Sequence, residues 1–189
     1  MADFMSIAGA KIYLNPLHEN DVPILAKYMN DDHIKMFGRN NGKAVYEKSM
    51  KDRLEKKQGD ESYTIFRKDN DSIIGDVGIS FIDTYNRSGM LGIIIYGDEN
   101  RGKGFGKEAI ELMLKHAFID INLESIYLGT WEYNKAALHL YEKIGFKIIG
   151  RKRNSKIVGN RTYDEIMMDM ISKEYFERYG NNELSKYGI

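Results

Sequence analysis

Arg101-Gly102-Lys103-Gly104-Phe105-Gly106-Lys107 separates an apolar run, Leu91 to Tyr96, from a segment of helical periodicity, Gly104 to Ile119. A strand, a glycine-rich loop and a helix in that order suit an anion. Glycines let the backbone come close to it. The first N–H groups of a helix have no internal partners and lie at the positive end of its dipole. Arg101, Lys103 and Lys107 add charge that favours a pyrophosphate. The same residues also fit a plain connector with solvated basic side chains, so the loop alone does not decide. Two nucleotide-binding patterns are set aside. A Walker loop requires GxxxxGK[ST], whereas Gly106-Lys107 is followed by Glu108-Ala109. A dinucleotide fingerprint belongs at the first strand-to-helix turn of a parallel unit, whereas this loop follows an antiparallel hairpin.

Downstream lies Asn134-Lys135-Ala136-Ala137-Leu138-His139-Leu140-Tyr141-Glu142-Lys143-Ile144-Gly145-Phe146. Its spacing predicts a short helix from Lys135 to Lys143, capped by Asn134 and stopped by Gly145. Leu138 and Tyr141 would then serve as packing residues. Between the two segments, Ser125 to Trp131 reads as a strand.

Upstream, three antiparallel strands are expected. They are Tyr63 to Phe66, Ile73 to Phe81 with Ile73, Val77, Ile79 and Phe81 turned to the core, and Met90 to Tyr96. Asn86-Arg87-Ser88-Gly89 forms the hairpin turn between the last two. Lys11 to Leu17 reads as a short edge strand ended by Pro16. A helix follows, capped by Asn20 or Asp21, with Pro23 in its first turn and Ile24, Leu25 and Tyr28 as its apolar side. Asp31 to Gly42 reads as an irregular loop, and Ala44 to Lys57 as a helix with a thin stripe of Val45, Met50 and Leu54. Phe146 to Arg153 and Thr162 to Ile171 complete the sheet around a turn at Asn154 to Asn160. The C-terminal piece from Lys173 begins helical and ends in a polar tail.

The 189 residues are 42% hydrophobic and 30% charged, with 28 Lys plus Arg against 28 Asp plus Glu. That balance gives no net positive field, so nucleic acid and anionic membrane are not expected partners. With no cysteine, disulfides, thiolate metal sites and a cysteine nucleophile are excluded. His18, His33, His116 and His139 lack ligand spacing, so no metal is expected. No GxSxG elbow is present. Met1-Ala2-Asp3-Phe4-Met5 does not read as a signal peptide, and the longest apolar run is far short of the roughly 20 residues a membrane span needs. The expectation is one cytoplasmic domain over residues 1–189.

Taken together, the RxxGxG loop opening a helix, the following strand and NxxAxxLYxxxGF resemble the GNAT superfamily of acyl-CoA N-acyltransferases. Leu91-Gly92-Ile93-Ile94-Ile95 and Gly159 to Met170 are similar to the branch with ribosomal-protein N-terminal and spermidine acetyltransferases. The strong resemblance runs from about Gly89 to Met170, and residues 11–83 agree only in the order of elements. It implies an α/β fold, a mixed, mostly antiparallel sheet of six to seven strands with splayed central strands and about four helices. It also implies acetyl-CoA as co-substrate, with the pyrophosphate held by Arg101, Gly102, Lys103, Gly104, Phe105, Gly106 and Lys107. Pantetheine would pair with the backbone of Ile93, Ile94 and Ile95, and Asn134 and Ala137 would contact the cofactor. Tyr141 would point at its sulfur.

The implied chemistry is attack of a neutral primary amine on the thioester. Backbone donors would stabilise the oxyanion, and Tyr141 would protonate the departing thiolate. Where relatives often carry a glutamate just before the LGI segment, this chain has Met90. Glu132 is then the candidate to accept the ammonium proton. Asp83, Tyr85, Asp164 and Glu165 are further residues of the acceptor side. The expected acceptors are peptide N-termini, polyamines or other small amines, and the expected assembly is a monomer or homodimer. The alternative is a catalytically silent CoA-binding module, which the absence of a glutamate at Met90 would suit.

Overall fold

The computed structural model describes residues 6–38, 44–56 and 61–180, without the side chains of residues 53–56. Eight strands and six α-helices are assigned among them, more than the six to seven and about four expected. Two compact units result. The first comprises Met1–Ser80 and Leu91–Met113, the second Phe81–Met90 and Leu114–Ile189.

In the first unit, β1 (Ile7–Ala8) pairs antiparallel with β2 (Ile12–Pro16), Ile7 opposite Leu14. Two residues are too few to show periodicity, so β2 was expected at the edge and is covered instead. α1 (Val22–Met29) buries Val22, Leu25 and Ala26, while Ile24 is 44% exposed rather than part of the core. Asp21 precedes α1 but makes no side-chain cap; its carboxylate accepts from the His18 N–H and from the buried Thr64 hydroxyl at 2.9 Å. The stretch expected as an irregular loop contains α2 (Asp32–Phe37), capped by the Asp31 carboxylate on the His33 N–H. α3 (Glu47–Lys56) begins three residues later than expected and buries Met50, while Lys57 lies outside the described residues. Leu54 and residues 39–43 fall outside what is described.

β3 (Glu61–Arg67) pairs with β2 and with β4 (Ile73–Asp83), both antiparallel. β5 (Ser88–Ile95) follows β4 in the sheet, and its second half is the edge strand of the first unit. Val22, Leu25, Ala26, Ile34, Met50 and Tyr96 form a core cluster, against which Ile73 and Ile94 also rest. Within it the Tyr28 and Tyr96 rings stack at 4.7 Å, and the Tyr96 hydroxyl donates to Asp76. Phe81, expected in the core, is 70% exposed with φ +54. The left-handed residue breaks the two-residue alternation and turns the ring to solvent.

α4 (Phe105–Lys115) opens in the first unit and continues as a π-helical turn, His116–Asp120. Its Phe105, Ala109, Ile110 and Met113 are buried at helical spacing. In the second unit, β6 (Ser125–Trp131) pairs parallel with the start of β5, Ser88 opposite Ser125 and Met90 opposite Tyr127. α5 (Lys135–Ile144) ends on Gly145 at φ +118, whose N–H bonds to the Tyr141 and Glu142 carbonyls. β7 (Lys147–Val158) and β8 (Arg161–Ile171) form the last hairpin, and β8 lies between β7 and β6. α6 (Ser172–Tyr175) and the π-helical turn Phe176–Gly180 close the described chain. The polar tail falls mainly at 181–189, outside the described residues. Among the described residues no helix is long and apolar enough to cross a membrane.

Candidate functional site

The glycine-rich loop is built from a tight turn. After β5, Gly97 at φ +70 opens a 3-10 turn, Asp98–Asn100, and Asn100, 5% exposed, donates to the Tyr96 carbonyl at 2.9 Å. Gly102 and Gly104 then take φ +71 and +89, conformations that L side chains rarely adopt. A Cβ built on Gly102 would meet nothing within 4 Å, and one on Gly104 only the Lys11 ammonium at 3.8 Å. The space above both glycines is open. The first internal bond of α4 is Glu108 N–H to the Gly104 carbonyl, 3.1 Å, which leaves the Phe105, Gly106 and Lys107 N–H groups at the positive end of the helix. These features fit a pyrophosphate.

The basic side chains divide. The Lys11 ammonium donates to the Lys103 carbonyl at 3.3 Å and so joins the loop, a contribution invisible in the linear sequence. Lys107 pairs with Glu111 one turn along at 2.6 Å. The Arg101 guanidinium turns back onto the Ile95 carbonyl, with Nε at 3.3 Å and Nη2 at 3.2 Å, and also touches Asp98. Phe105 is buried beneath the Arg67 guanidinium, 5.4 Å from the ring centre, so its side chain packs and its N–H alone faces the loop. Glu108 ties the loop's helix to the first sheet edge by accepting from the Lys11 N–H at 2.8 Å.

The Tyr96 N–H bonds to the Ile74 carbonyl at 2.8 Å. Backbone groups alternate sides along a strand, so Ile94 likewise faces β4, while Ile93 and Ile95 face the other edge. Ile93 thus offers both its N–H and its C=O away from β4. The Ile95 carbonyl on that edge is the one Arg101 holds.

In the second unit, Asn134 caps α5 through its carboxamide oxygen, which accepts from the Ala137 N–H at 3.3 Å. Tyr141 is half-buried, edge-on to Phe146 with ring centres 5.9 Å apart. Glu132 sits in a network: its carboxylate accepts from the Asp164 N–H at 2.9 Å and from Arg151 at 3.2 Å. Asp164 also accepts from the Asn154 N–H at 2.9 Å and from Arg151 at 2.9 Å, and the Asn154 N–H first, then Arg151, hold its carboxyl below its ordinary pKa. Asp83 organises the β4–β5 turn by accepting from the Tyr85 and Asn86 N–H groups, and Tyr85 is 92% exposed. Glu165 is buried opposite Trp131. Among the described residues no group of three or more His, Cys, Asp or Glu could hold a metal ion.

Residues 11–147 match the model of the acetyltransferase (GNAT) domain. The chain belongs to the GNAT acetyltransferase family. The match to this GNAT model reaches through the N-terminal half, where only the order of elements was similar, and ends at the first residue of the last hairpin.

Over 107 residues the chain is 34% identical to the spermidine N(1)-acetyltransferase of Vibrio cholerae, covering 57% of this chain and 61% of that protein. The alignment thus spans less than two thirds of that relative. A crystal structure of the Vibrio cholerae spermidine N-acetyltransferase in complex with CoA and spermine superposes with TM-score 0.82, covering 89% of this chain and 99% of the other at 24% identity. A dodecameric structure of the same enzyme gives TM-score 0.78 over 90% of this chain and 99% of the other, also at 24% identity. At that identity the superpositions establish the GNAT fold, mixed α/β and mostly antiparallel.

Proposed function

We propose that this protein is an acetyl-CoA-dependent N-acetyltransferase that acts on a primary amine. The observation that carries the reading is the paired left-handed glycines, Gly102 and Gly104, opening α4 with free N–H groups and open space above. Acetyl-CoA would supply the thioester, with its pyrophosphate on the N–H groups of residues 102–107 and its pantetheine amide on Ile93. Using the Ile95 carbonyl as well requires Arg101 to release it and swing towards the phosphates, which its charge favours. Asn134 and Ala137 are assigned to cofactor contact by the family resemblance.

The acceptor amine attacks as the free base; the C–N bond forms and the C–S bond breaks. Tyr141 is assigned the proton for the departing thiolate, and Glu132, through water, the proton released by the amine. Both oxygens of Glu132 already accept hydrogen bonds, and each retains a lone pair for a water. The relatives' spermidine activity favours a cationic amine, with peptide N-termini as the other class. We place the activity in one domain over residues 1–189, as a monomer, a homodimer or a larger assembly such as the dodecameric relative.

The test is thiol release from acetyl-CoA with spermidine and with a short peptide as acceptors. The chain has no cysteine, so every thiol detected comes from CoA. Turnover that Tyr141→Phe lowers by about a hundredfold supports the reading, within the usual 10²–10⁴ range for acid–base groups. Met90, standing where the family resemblance often places a glutamate, favours a second reading, a silent CoA-binding module. Cofactor binding without thiol release from any amine would select it.

A further inference from the structure

Trp131, Lys156 and Glu165 are 6%, 6% and 5% exposed, with Glu165 on the strand beside the single tryptophan of the chain and Lys156 one strand further, on β7. Glu165 lies directly opposite Trp131 in the β6–β8 ladder, so both side chains stand on one face of the second unit's sheet. Tyr163, two residues along β8, shares that face and meets Tyr133 edge-on at 4.8 Å. Lys156 is the β7 partner of Tyr163, and its ammonium sits over the Trp131 ring, 5.2 Å from the centre.

A lysine ammonium is costly to bury, and the negative face of the Trp131 indole offsets part of that cost. Burial still holds the Lys156 ammonium below its ordinary pKa. The ring is not specific to a tethered lysine, because an alkylammonium of any origin meets the same indole face, with the buried Glu165 opposite Trp131 on that face of the sheet. The strand that delivers Lys156 is itself irregular. The β7–β8 register shifts between Lys152 and Lys156, and Asn154 in that gap takes φ +51. Bulges of this kind re-aim a side chain and concentrate beside functional sites. The bulge sets Lys156 on the ring while Lys152 stays exposed.

We propose that Trp131 and Glu165 form a seat for the ammonium group of a cationic ligand, and that Lys156 fills this seat in the free protein. The ligand is a primary alkylammonium; its role as the acetyl acceptor rests on the function proposed above, whereas the seat itself does not. Lys156 is then an internal competitor that sets a threshold for ligand entry, since a ligand must displace it before binding.

Because Trp131 is the single tryptophan, its emission reads the seat directly. The experiment titrates spermidine, with octane-1,8-diol as the neutral control, into wild-type protein and the Lys156→Met and Glu165→Gln variants, without acetyl-CoA. The expected result is a saturable change in emission with spermidine and none with the diol. Lys156→Met should tighten binding about tenfold, and Glu165→Gln should weaken it about tenfold, each equivalent to about 1.4 kcal/mol. A flat emission with spermidine in folded wild type and Lys156→Met, or an equal response to the diol, overturns the seat. Should Lys156→Met fail to fold, the wild-type titration against Glu165→Gln decides alone. Saturable emission without thiol release would keep the seat and remove the enzyme reading, while thiol release with flat emission would do the reverse.

Discussion

The Arg101 guanidinium closes on the carbonyl of Ile95, with Nε at 3.3 Å and Nη2 at 3.2 Å, so the first residue of the loop is fastened to the last residue of β5. A hydrogen bond from a charged donor contributes about 1.5–3 kcal/mol, whereas a pair with an exposed carboxylate contributes about 0–1 kcal/mol. Asp98, the other partner, is 93% exposed. Arg101→Ala is therefore expected to lower the unfolding free energy by about 1–3 kcal/mol in urea, and Asp98→Asn by less than about 1 kcal/mol. Equal costs would show that the carbonyl contact contributes nothing.

Gly102 separates conformation from crowding. At φ +71 with nothing within 4 Å of a built Cβ, an alanine there meets strain and no clash. The left-handed conformation costs an alanine about 1–2 kcal/mol, and an asparagine less. Gly102→Ala is expected to lose about that much stability and to weaken acetyl-CoA about tenfold as the N–H groups re-aim. Gly102→Asn should fall between alanine and wild type in both denaturation and binding assays. An alanine variant as stable as wild type would contradict the strain.

Tyr96 is 1% exposed, and its hydroxyl donates to Asp76. Burial and the Asp76 charge raise its pKa well above the ordinary tyrosine value, so the hydroxyl keeps its proton. Tyr96→Phe retains the stack on Tyr28 but leaves a carboxylate without that donor. The expected loss is about 1.5–3 kcal/mol in urea unfolding, and a loss below about 0.5 kcal/mol would mean that water replaces the hydroxyl.

Local signals in the sequence carried much of this fold. β6 runs from Ser125 to Trp131 as expected, and α5 starts and stops where Asn134 and Gly145 place it. The glycines of the loop were legible because positive φ restricts the residue type. Elements with little periodicity were not. α2 buries only Ile34 of its six residues, and its sole signal was the Asp31 cap. Phe81 was misplaced because one left-handed residue cancels the alternation. Within the site, the destination of Arg101 depends on a flexible side chain. The approach of Lys156 to Trp131, and the place of Glu165 opposite that ring, depend on strand register and a bulge, and register is a relation between distant segments that composition and spacing do not encode.

His33 provides a pH test of the loop's surroundings. Burial, chiefly, and then the positive charge of Arg101 hold its pKa below the ordinary value of 6.5, with Asp98 and Asp31 acting in the opposite sense. A depressed folded pKa means that the unfolded chain takes up the proton first. The stability from neutral His33 is therefore complete above about pH 6.5 and is lost as the pH falls through the folded pKa. Urea unfolding between pH 7.5 and 5 should show a decline that His33→Phe flattens. An NMR titration placing His33 at or above 6.5 would contradict it.

The most direct test of the central claim is a calorimetric titration of acetyl-CoA into the wild type and into Gly104→Asp. The aspartate would put a negative charge over the open space at φ +89. Saturable one-to-one binding by the wild type, weakened at least about a hundredfold (about 2.7 kcal/mol) in a folded Gly104→Asp variant, is the predicted result. A folded wild type that shows no heat of binding, or a variant that binds as well, would contradict the assignment of this loop to the cofactor.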